Sequence, residues 1–249
     1  MTENDMERDW DARARENAPR YIVGKTFLDE DEFFMEGTKA SYKLCSNLFE
    51  REGFRPEGKR MLDIGCGIGR LERGFSQMFD EVCGLDVSGE MVSQAARLNQ
   101  SFENVKFIKG NGQDLSAFPD GSFDFVFSVS AFMHIPEKRI TLNYFREIHR
   151  VLKPDGLFKL QILKPRAGVV FAFGFIPIPR LIFPYVPEVI WTMYGYLALR
   201  GKERLRRGRT WRGSSMHKNE VKQALLNLQF KKVEIEEDPK VTFWCCGRK

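Results

Sequence analysis

Apolar positions recur along this chain at two periods. Between residues 59 and 164 short apolar runs alternate with helical stripes. Residues 61–64, 81–86, 105–109, 123–129 and 157–163 read as strands, and 71–79, 88–99 and 136–152 as helices. The run at 123–129 is apolar almost throughout, as expected of a strand covered on both faces. Ile140, Tyr144, Ile148, Val151 and Leu152 form one helical stripe, which Lys153-Pro154-Asp155-Gly156 stops. Ser88 stands where a helix N-cap belongs. This alternation predicts an α/β fold with a doubly wound parallel sheet and right-handed crossovers.

Either side of that stretch the pattern differs. Residues 1–57 predict polar amphipathic helices, with Trp10, Ala14, Tyr21, Phe33, Phe34, Leu48 and Phe49 at helical spacing, and Gly53 and Arg55-Pro56-Glu57-Gly58 ending them. After Lys164 the periodicity fails: residues 168–199 are strongly apolar and broken by prolines at 177, 179, 184 and 187. A helix over 218–228 and strands over 231–237 and 241–247 follow. The expected division is a helical cap (1–57), a core (58–164), an insertion (165–217) and a C-terminal helix with strands that complete the core sheet (218–249).

Charge sharpens this division. Residues 164–218 carry 11 basic and 2 acidic side chains, net +9, in a chain whose total is +5. The five cysteines form no CxxC pair, and three histidines are too few for a multi-histidine metal site. Buried thiols in a reducing cytoplasm, with no metal, are the expectation. The first residues are acidic and polar, unlike a secretion signal.

The candidate chemistry begins at Leu62-Asp63-Ile64-Gly65-Cys66-Gly67-Ile68-Gly69, between a strand and a helix. Glycines there let the backbone turn sharply and approach a ligand closely. Asp86 ends the next strand, where a carboxylate can accept from ribose hydroxyls. A dinucleotide fingerprint is excluded, because its third glycine falls on Arg70 or Glu72 according to frame. A phosphate-binding P-loop is also absent: Gly24-Lys25-Thr26 lacks the earlier glycine, which falls on Pro19. An acid ahead of G-x-G-x-G disfavours pyrophosphate and tolerates a cationic ligand.

Together these runs resemble the class I S-adenosylmethionine-dependent methyltransferases of small-molecule type. Val82-Cys83-Gly84-Leu85-Asp86-Val87-Ser88 with Met91 is similar to the family's second motif, and Gly110-Asn111-Gly112-Gln113-Asp114-Leu115 to its third. Phe118-Pro119-Asp120-Gly121-Ser122-Phe123-Asp124 and Leu152-Lys153-Pro154-Asp155-Gly156 resemble the approaches to the fourth and fifth strands. The resemblance covers residues 59–164 closely. It implies a Rossmann-like seven-stranded sheet, mostly parallel with an antiparallel last strand. It implies S-adenosyl-L-methionine as cofactor, held by Asp63, Gly65, Cys66, Gly67, Asp86, Val87, Met91, Asn111, Gly112, Gln113 and Ser128. Asn111 departs from the family's frequent aspartate, and either contacts adenine or only shapes a turn. Trp10, Arg13 and Tyr21 resemble a cap that closes over the cofactor.

His134 follows the fourth strand, beside the expected transfer site, and is the candidate general base; a structural role for it competes. His149 reads as structural. Methyl transfer demands little acid–base help, because the sulfonium is already a strong electrophile. In the family the insertion's position commonly holds the acceptor lid. Here it is apolar and then arginine-rich (Arg204, Arg206, Arg207, Arg209), which fits a lid over a greasy acceptor or a segment lying on an anionic membrane surface. Its apolar character disfavours nucleic acid. The expected activity is methylation of a small or lipid-linked acceptor, first at a hydroxyl oxygen. Nitrogen or carbon methylation, or a non-catalytic cofactor-binding subunit, are the alternatives.

Overall fold

The computed structural model describes residues 3–24, 29–165, 170–172, 176–178, 213–238 and 241–249. Two helices open the chain, α1 (Glu3–Val23) and α2 (Glu30–Glu52). α1 is broken at Asn17, whose side-chain oxygen accepts from the Arg20 N–H at 3.0 Å and starts a second helical piece with Pro19 in its first turn. Proline is tolerated there because a first-turn N–H has no intrahelical partner to lose. α2 begins at Asp29, which accepts from the Glu32 N–H at 2.7 Å, and ends at Gly53 in the left-handed conformation (φ 60°).

The core runs β1 (Arg60–Ile64), α3 (Glu72–Phe75), β2 (Glu81–Asp86), α4 (Gly89–Leu98), β3 (Val105–Lys109) and β4 (Phe123–Ser128). A 3-10 turn (Phe132–His134), α5 (Lys138–Val151) and β5 (Leu152–Leu163) follow. A short antiparallel pair comes next, β6 (Val170–Ala172) with β7 (Ile176–Ile178). α6 (Lys218–Asn227), β8 (Lys231–Glu237) and β9 (Thr242–Arg248) end the chain. Seven strands form one sheet in the order β3-β2-β1-β4-β5-β9-β8. β1 to β5 pair in parallel, and β9 runs antiparallel to both β5 and β8. The doubly wound sheet with an antiparallel last strand is therefore the one expected.

The chain steps outward from β1 to β3 and returns to lay β4 on the other side of β1. This reversal opens a crevice at the carboxyl ends of the strands, where open α/β sheets bind ligands. Side chains alternate across the sheet. Leu62, Ile64, Phe123 and Val126 face Tyr144, Phe145 and Ile148 of α5 and Val221 and Leu225 of α6. Met61, Phe125 and Phe127 face Cys45, Leu48 and Phe49 of α2 and Phe75 of α3. A third cluster of Ala14, Ala18, Phe33, Phe34, Ile68 and Met91 joins α1 to α2, the glycine loop and α4.

Two elements differ in extent from the sequence expectation. α3 covers only Glu72–Phe75, and hydrogen-bonded turns carry the rest to Phe79. β5 starts at Leu152 because Leu152 pairs with Phe123 before a register shift, with Asp155 in a left-handed conformation (φ 62°) inside the bulge. Residues 166–169, 173–175 and 179–212 lie outside the described residues, and with them most of the apolar and basic insertion. Among the described residues no helix is long and apolar enough to cross a membrane.

Candidate functional site

The loop after β1 is tied to β2. The Gly65 and Cys66 N–H groups both donate to the Leu85 carbonyl, at 2.7 and 3.2 Å. Gly65 and Gly67 have φ of 84° and 58°, in the left-handed region that favours glycine. They also lie against neighbours: a side chain at Gly65 would overlap the Ala131 methyl, and a Cβ at Gly67 would stand 2.8 Å from Ile22 Cδ1. The loop is thus pressed between the segment after β4 and the helix α1.

Asp86, at the end of β2, holds this loop from the other side. Its Oδ2 accepts from the Gly67 N–H and its Oδ1 from the Ser88 N–H, both at 2.9 Å. Burial raises the Asp86 pKa, and the amides of Ser88, Gly67 and Val87 oppose the rise by favouring the charged form. Ser88 Oγ accepts from the Met91 N–H at 3.0 Å, capping α4, and donates to Asp11 Oδ1 at 2.6 Å. Asp11 Oδ1 also accepts from the Glu90 N–H at 3.1 Å, which docks α1 on the start of α4.

These pieces enclose a cleft of about 830 Å³, counting the part open to solvent. Ile64, Gly65 and Gly67 form its floor, and Leu85, Asp86, Val87 and Met91 one wall, extended by Gly110 and Gly112. The opposite wall is Val129, Ser130, Ala131, His134 and Ile135, with Tyr144 of α5 behind. Met6, Trp10, Tyr21 and Ile22 of α1 roof it. The Trp10 and His134 rings meet edge to face across roof and wall, 4.9 Å apart, and the Arg13 guanidinium lies 4.5 Å from the Trp10 ring. The lining is mostly apolar with a few polar groups, the usual make-up of a small-molecule site.

Of the residues singled out from sequence, the fold gathers Gly65, Gly67, Asp86, Val87, Met91, Gly112 and His134 on this cleft. Trp10 and Tyr21 of the expected cap line it as well, and the remaining expected cofactor residues lie behind it. Asp63 is 2% exposed and alternates with Leu62 and Ile64, so it faces the α2–α3 layer. Cys66 is buried against Gly84 of β2, and burial holds its thiol well above the ordinary pKa. Ser128 is fully buried and donates to the Ile64 carbonyl at 2.7 Å, fastening β4 to β1. Asn111 closes a turn: its oxygen accepts from the Gln113 and Asp114 N–H groups at 2.8 and 3.0 Å, and its amide donates to Asp114 at 2.7 Å. The Gln113 carbonyl accepts from Asn143 Nδ2 at 2.9 Å, which braces that turn on α5.

Sequence reasoning missed Ser130, Tyr144 and the roof residues Met6 and Ile22. It also missed Glu72, fully buried beside Asp63. His149 lies edge-on to Phe230 at 5.0 Å, a packing role. Among the described residues one trio, Glu234, Glu236 and Cys246, has the spacing of metal ligands. Arg51 reaches both carboxylates at 3.0 Å and Lys159 reaches Glu236 at 3.1 Å, so the trio's charge is already met.

Comparison with known proteins matches residues 62–160 to a family described as a methyltransferase domain. The 2-methyl-6-phytyl-1,4-hydroquinone methyltransferase of Synechocystis is 39% identical over 103 residues, 41% of this chain and 31% of that protein. The sterol 24-C-methyltransferase of Aspergillus fumigatus is 35% identical over 106 residues, 41% of this chain and 27% of that one. The chain thus spans about a third of the length of these relatives. Magnesium protoporphyrin IX methyltransferase from Synechocystis, solved with bound SAH, covers 99% of both chains with a TM-score of 0.64 and 15% identity, a likeness of fold.

Proposed function

We propose that this chain, which over residues 62–160 is a class I S-adenosylmethionine-dependent methyltransferase domain, transfers that cofactor's methyl group to a small or lipid-linked apolar acceptor. The observation that carries the reading is a single cleft with Asp86 and the glycine loop on one side and the apolar wall bearing His134 on the other. Asp86 keeps lone pairs beyond those used by Gly67 and Ser88, enough for ribose hydroxyls. Val87 and Met91 offer apolar surface to a purine, and Gly110 and Gly112 let its edge approach the backbone. Gly65 and Gly67 face the cleft without side chains, so the methionyl end can approach the loop backbone. Asp63, Cys66, Asn111, Gln113 and Ser128 act through the backbone they brace.

The cofactor supplies a methyl group on a sulfonium, already electrophilic. What remains for the chain is to hold an acceptor in line with that methyl and to exclude water. The attacked atom is a hydroxyl oxygen, and His134, the imidazole on the cleft, takes its proton. The relative named as a 24-C-methyltransferase supports carbon as the second reading.

Residues 168–212 deliver the acceptor, as their apolar and basic composition suggests. The flanks support this placement. The Gly213 N–H donates to the Met133 carbonyl at 2.7 Å and the Ser214 N–H to the Ile135 carbonyl at 2.8 Å, so the segment ends against the His134 wall. Its other end leaves β5 at the same carboxyl edge of the sheet, where the Lys164 N–H donates to the Val241 carbonyl at 2.9 Å. Peripheral contact with anionic lipid is part of the proposal, and salt-sensitive flotation with anionic vesicles tests it. For the reaction, labelled-methyl cofactor is offered with prenylated hydroquinones, sterols and phenolics, and the product is assigned by NMR. An O-methyl product is expected. A C-methyl product replaces the first reading with the second. Cofactor binding without transfer to any acceptor makes the chain a binding subunit and ends the enzymatic reading.

A further inference from the structure

Behind the His134 wall lies a buried polar relay that the proposed reaction does not use. Ser130, the second residue after β4, has φ of 61°, a conformation disfavoured for any residue but glycine. It is held there by Gln161 of β5, whose Oε1 accepts from the Ser130 N–H at 3.0 Å and from Ser130 Oγ at 3.4 Å. Gln161 is 8% exposed, and its amide can present oxygen to Ser130 only if its nitrogen faces away. Asp238, also 8% exposed, fixes that orientation: its Oδ2 accepts from Gln161 Nε2 at 2.9 Å and from Thr242 Oγ1 at 2.8 Å. The Lys164 ammonium donates to the Asp238 carbonyl at 2.7 Å, which ties the relay to the end of β5.

The turn that this relay imposes sets the pose of the cleft wall. Directly after Ser130 the chain presses Ala131 against Gly65 and forms the 3-10 turn that carries His134 to Trp10. We infer that Gln161, oriented by Asp238, is a positioning residue that holds Ser130 in its left-handed turn and so fixes the 129–135 wall, with His134, at the methyl-transfer end of the cleft. No atom of the relay is required at the ribose side, which rests on Asp86 and β2. The relay therefore governs transfer rather than cofactor affinity. This inference rests on the methyltransferase reading for its catalytic consequence and on geometry alone for the wall.

The test compares the wild-type chain with Gln161→Leu, Gln161→Glu, and Gln161→Glu combined with Asp238→Asn. Gln161→Glu keeps an acceptor for Ser130 but sets two carboxylates against each other. The combined variant restores a donor between them, with the donor and acceptor roles exchanged. Three quantities are read: S-adenosylhomocysteine affinity by calorimetry, amide hydrogen exchange in peptides spanning 129–135, and labelled-methyl transfer to 2-methyl-6-phytyl-1,4-hydroquinone in mixed micelles. Both single variants should keep affinity within threefold, exchange at least tenfold faster at residues 131–135, and lose at least tenfold in kcat with the cofactor KM unchanged. The combined variant should recover at least half of the lost protection and rate. Unchanged exchange at 131–135 in Gln161→Leu, or no recovery in the combined variant, overturns the inference. A wild-type chain that binds no S-adenosylhomocysteine, or methylates neither this acceptor nor any other prenylated hydroquinone, sterol or phenolic, counts against the functional reading instead, and the exchange result still decides the role of Gln161.

Discussion

Replacing Glu72 with glutamine should flatten the dependence of stability on pH. Glu72 is 0% and Asp63 2% exposed, and Asp63 Oδ1 and both Glu72 oxygens are buried with no hydrogen bond to any group outside the pair among the described residues. Burial raises the Asp63 pKa to about 7, against a lowering hydrogen bond from Glu72. Burial, and then the neighbouring Asp63, hold Glu72 well above the ordinary carboxylate value. Arg70 is the nearby cation and offsets only part of this. Both folded-state values lie above the unfolded ones, so the folded chain keeps protons that the unfolded chain releases near pH 4. The stability these protonated groups contribute is complete below that pH and is lost as pH rises towards the folded value of each, about 7 for Asp63. Each retained proton costs about 1.4 kcal/mol per pH unit in that window. Glutamine carries no titrating proton and can still donate to Asp63. Urea unfolding at pH 5, 6 and 7 should therefore show the wild type losing stability faster with rising pH than Glu72→Gln, by up to about 1.4 kcal/mol per unit. Parallel pH profiles for the two proteins would mean that folded Glu72 keeps no extra proton.

Two other substitutions separate bracing from binding. Ser128→Ala removes a 2.7 Å hydrogen bond and leaves the buried Ile64 carbonyl short of a donor, so chemical denaturation should show a loss of about 1–3 kcal/mol, with cofactor affinity held within twofold. Asp11→Ala removes the acceptor shared by Ser88 Oγ and the Glu90 N–H; a loss of about 1–2 kcal/mol and faster amide exchange along α1 are expected, and unchanged exchange there would mean that Asp11 does not dock the roof.

The sheet was legible in the sequence because its signals are local. Apolar runs of strand length, the stripe from Ile140 to Leu152 and the stop at Lys153-Pro154 lie within single elements, and the structure puts strands and helices there. Gly67 and Asp86 were legible as a pair because each ends a strand or opens a loop, and the hydrogen bond between them joins adjacent parallel strands. The roof was legible only in part: Trp10 and Tyr21 stood out as a cap through the resemblance, and Met6 and Ile22 did not. Ile22 reaches Gly67, and Met6 approaches Gly112, only once α1 has docked on α4, and no periodicity encodes that distance. Glu72 has the sequence character of a solvated helix acid; it is sealed because α2 crosses so near Gly74 that a side chain there would overlap Ser41. Asn111 had two readings, and the turn it closes engages both its oxygen and its amide. Ser130 gave no signal, since a left-handed serine is indistinguishable from any other until its neighbours Gln161 and Asp238 are in place.

Calorimetric titration of the wild-type chain and Asp86→Ala with S-adenosylmethionine, S-adenosylhomocysteine and NAD decides whether Asp86 and the glycine loop bind an adenosyl-methionine cofactor. The wild type should bind the first two ligands at a single site, and NAD with no comparable strength. In Asp86→Ala that binding should weaken by about 1.5–3 kcal/mol, or roughly 10- to 150-fold, the scale of lost charge-assisted hydrogen bonds. Equal affinity in the two proteins, or a wild type that prefers NAD, would exclude this cofactor site.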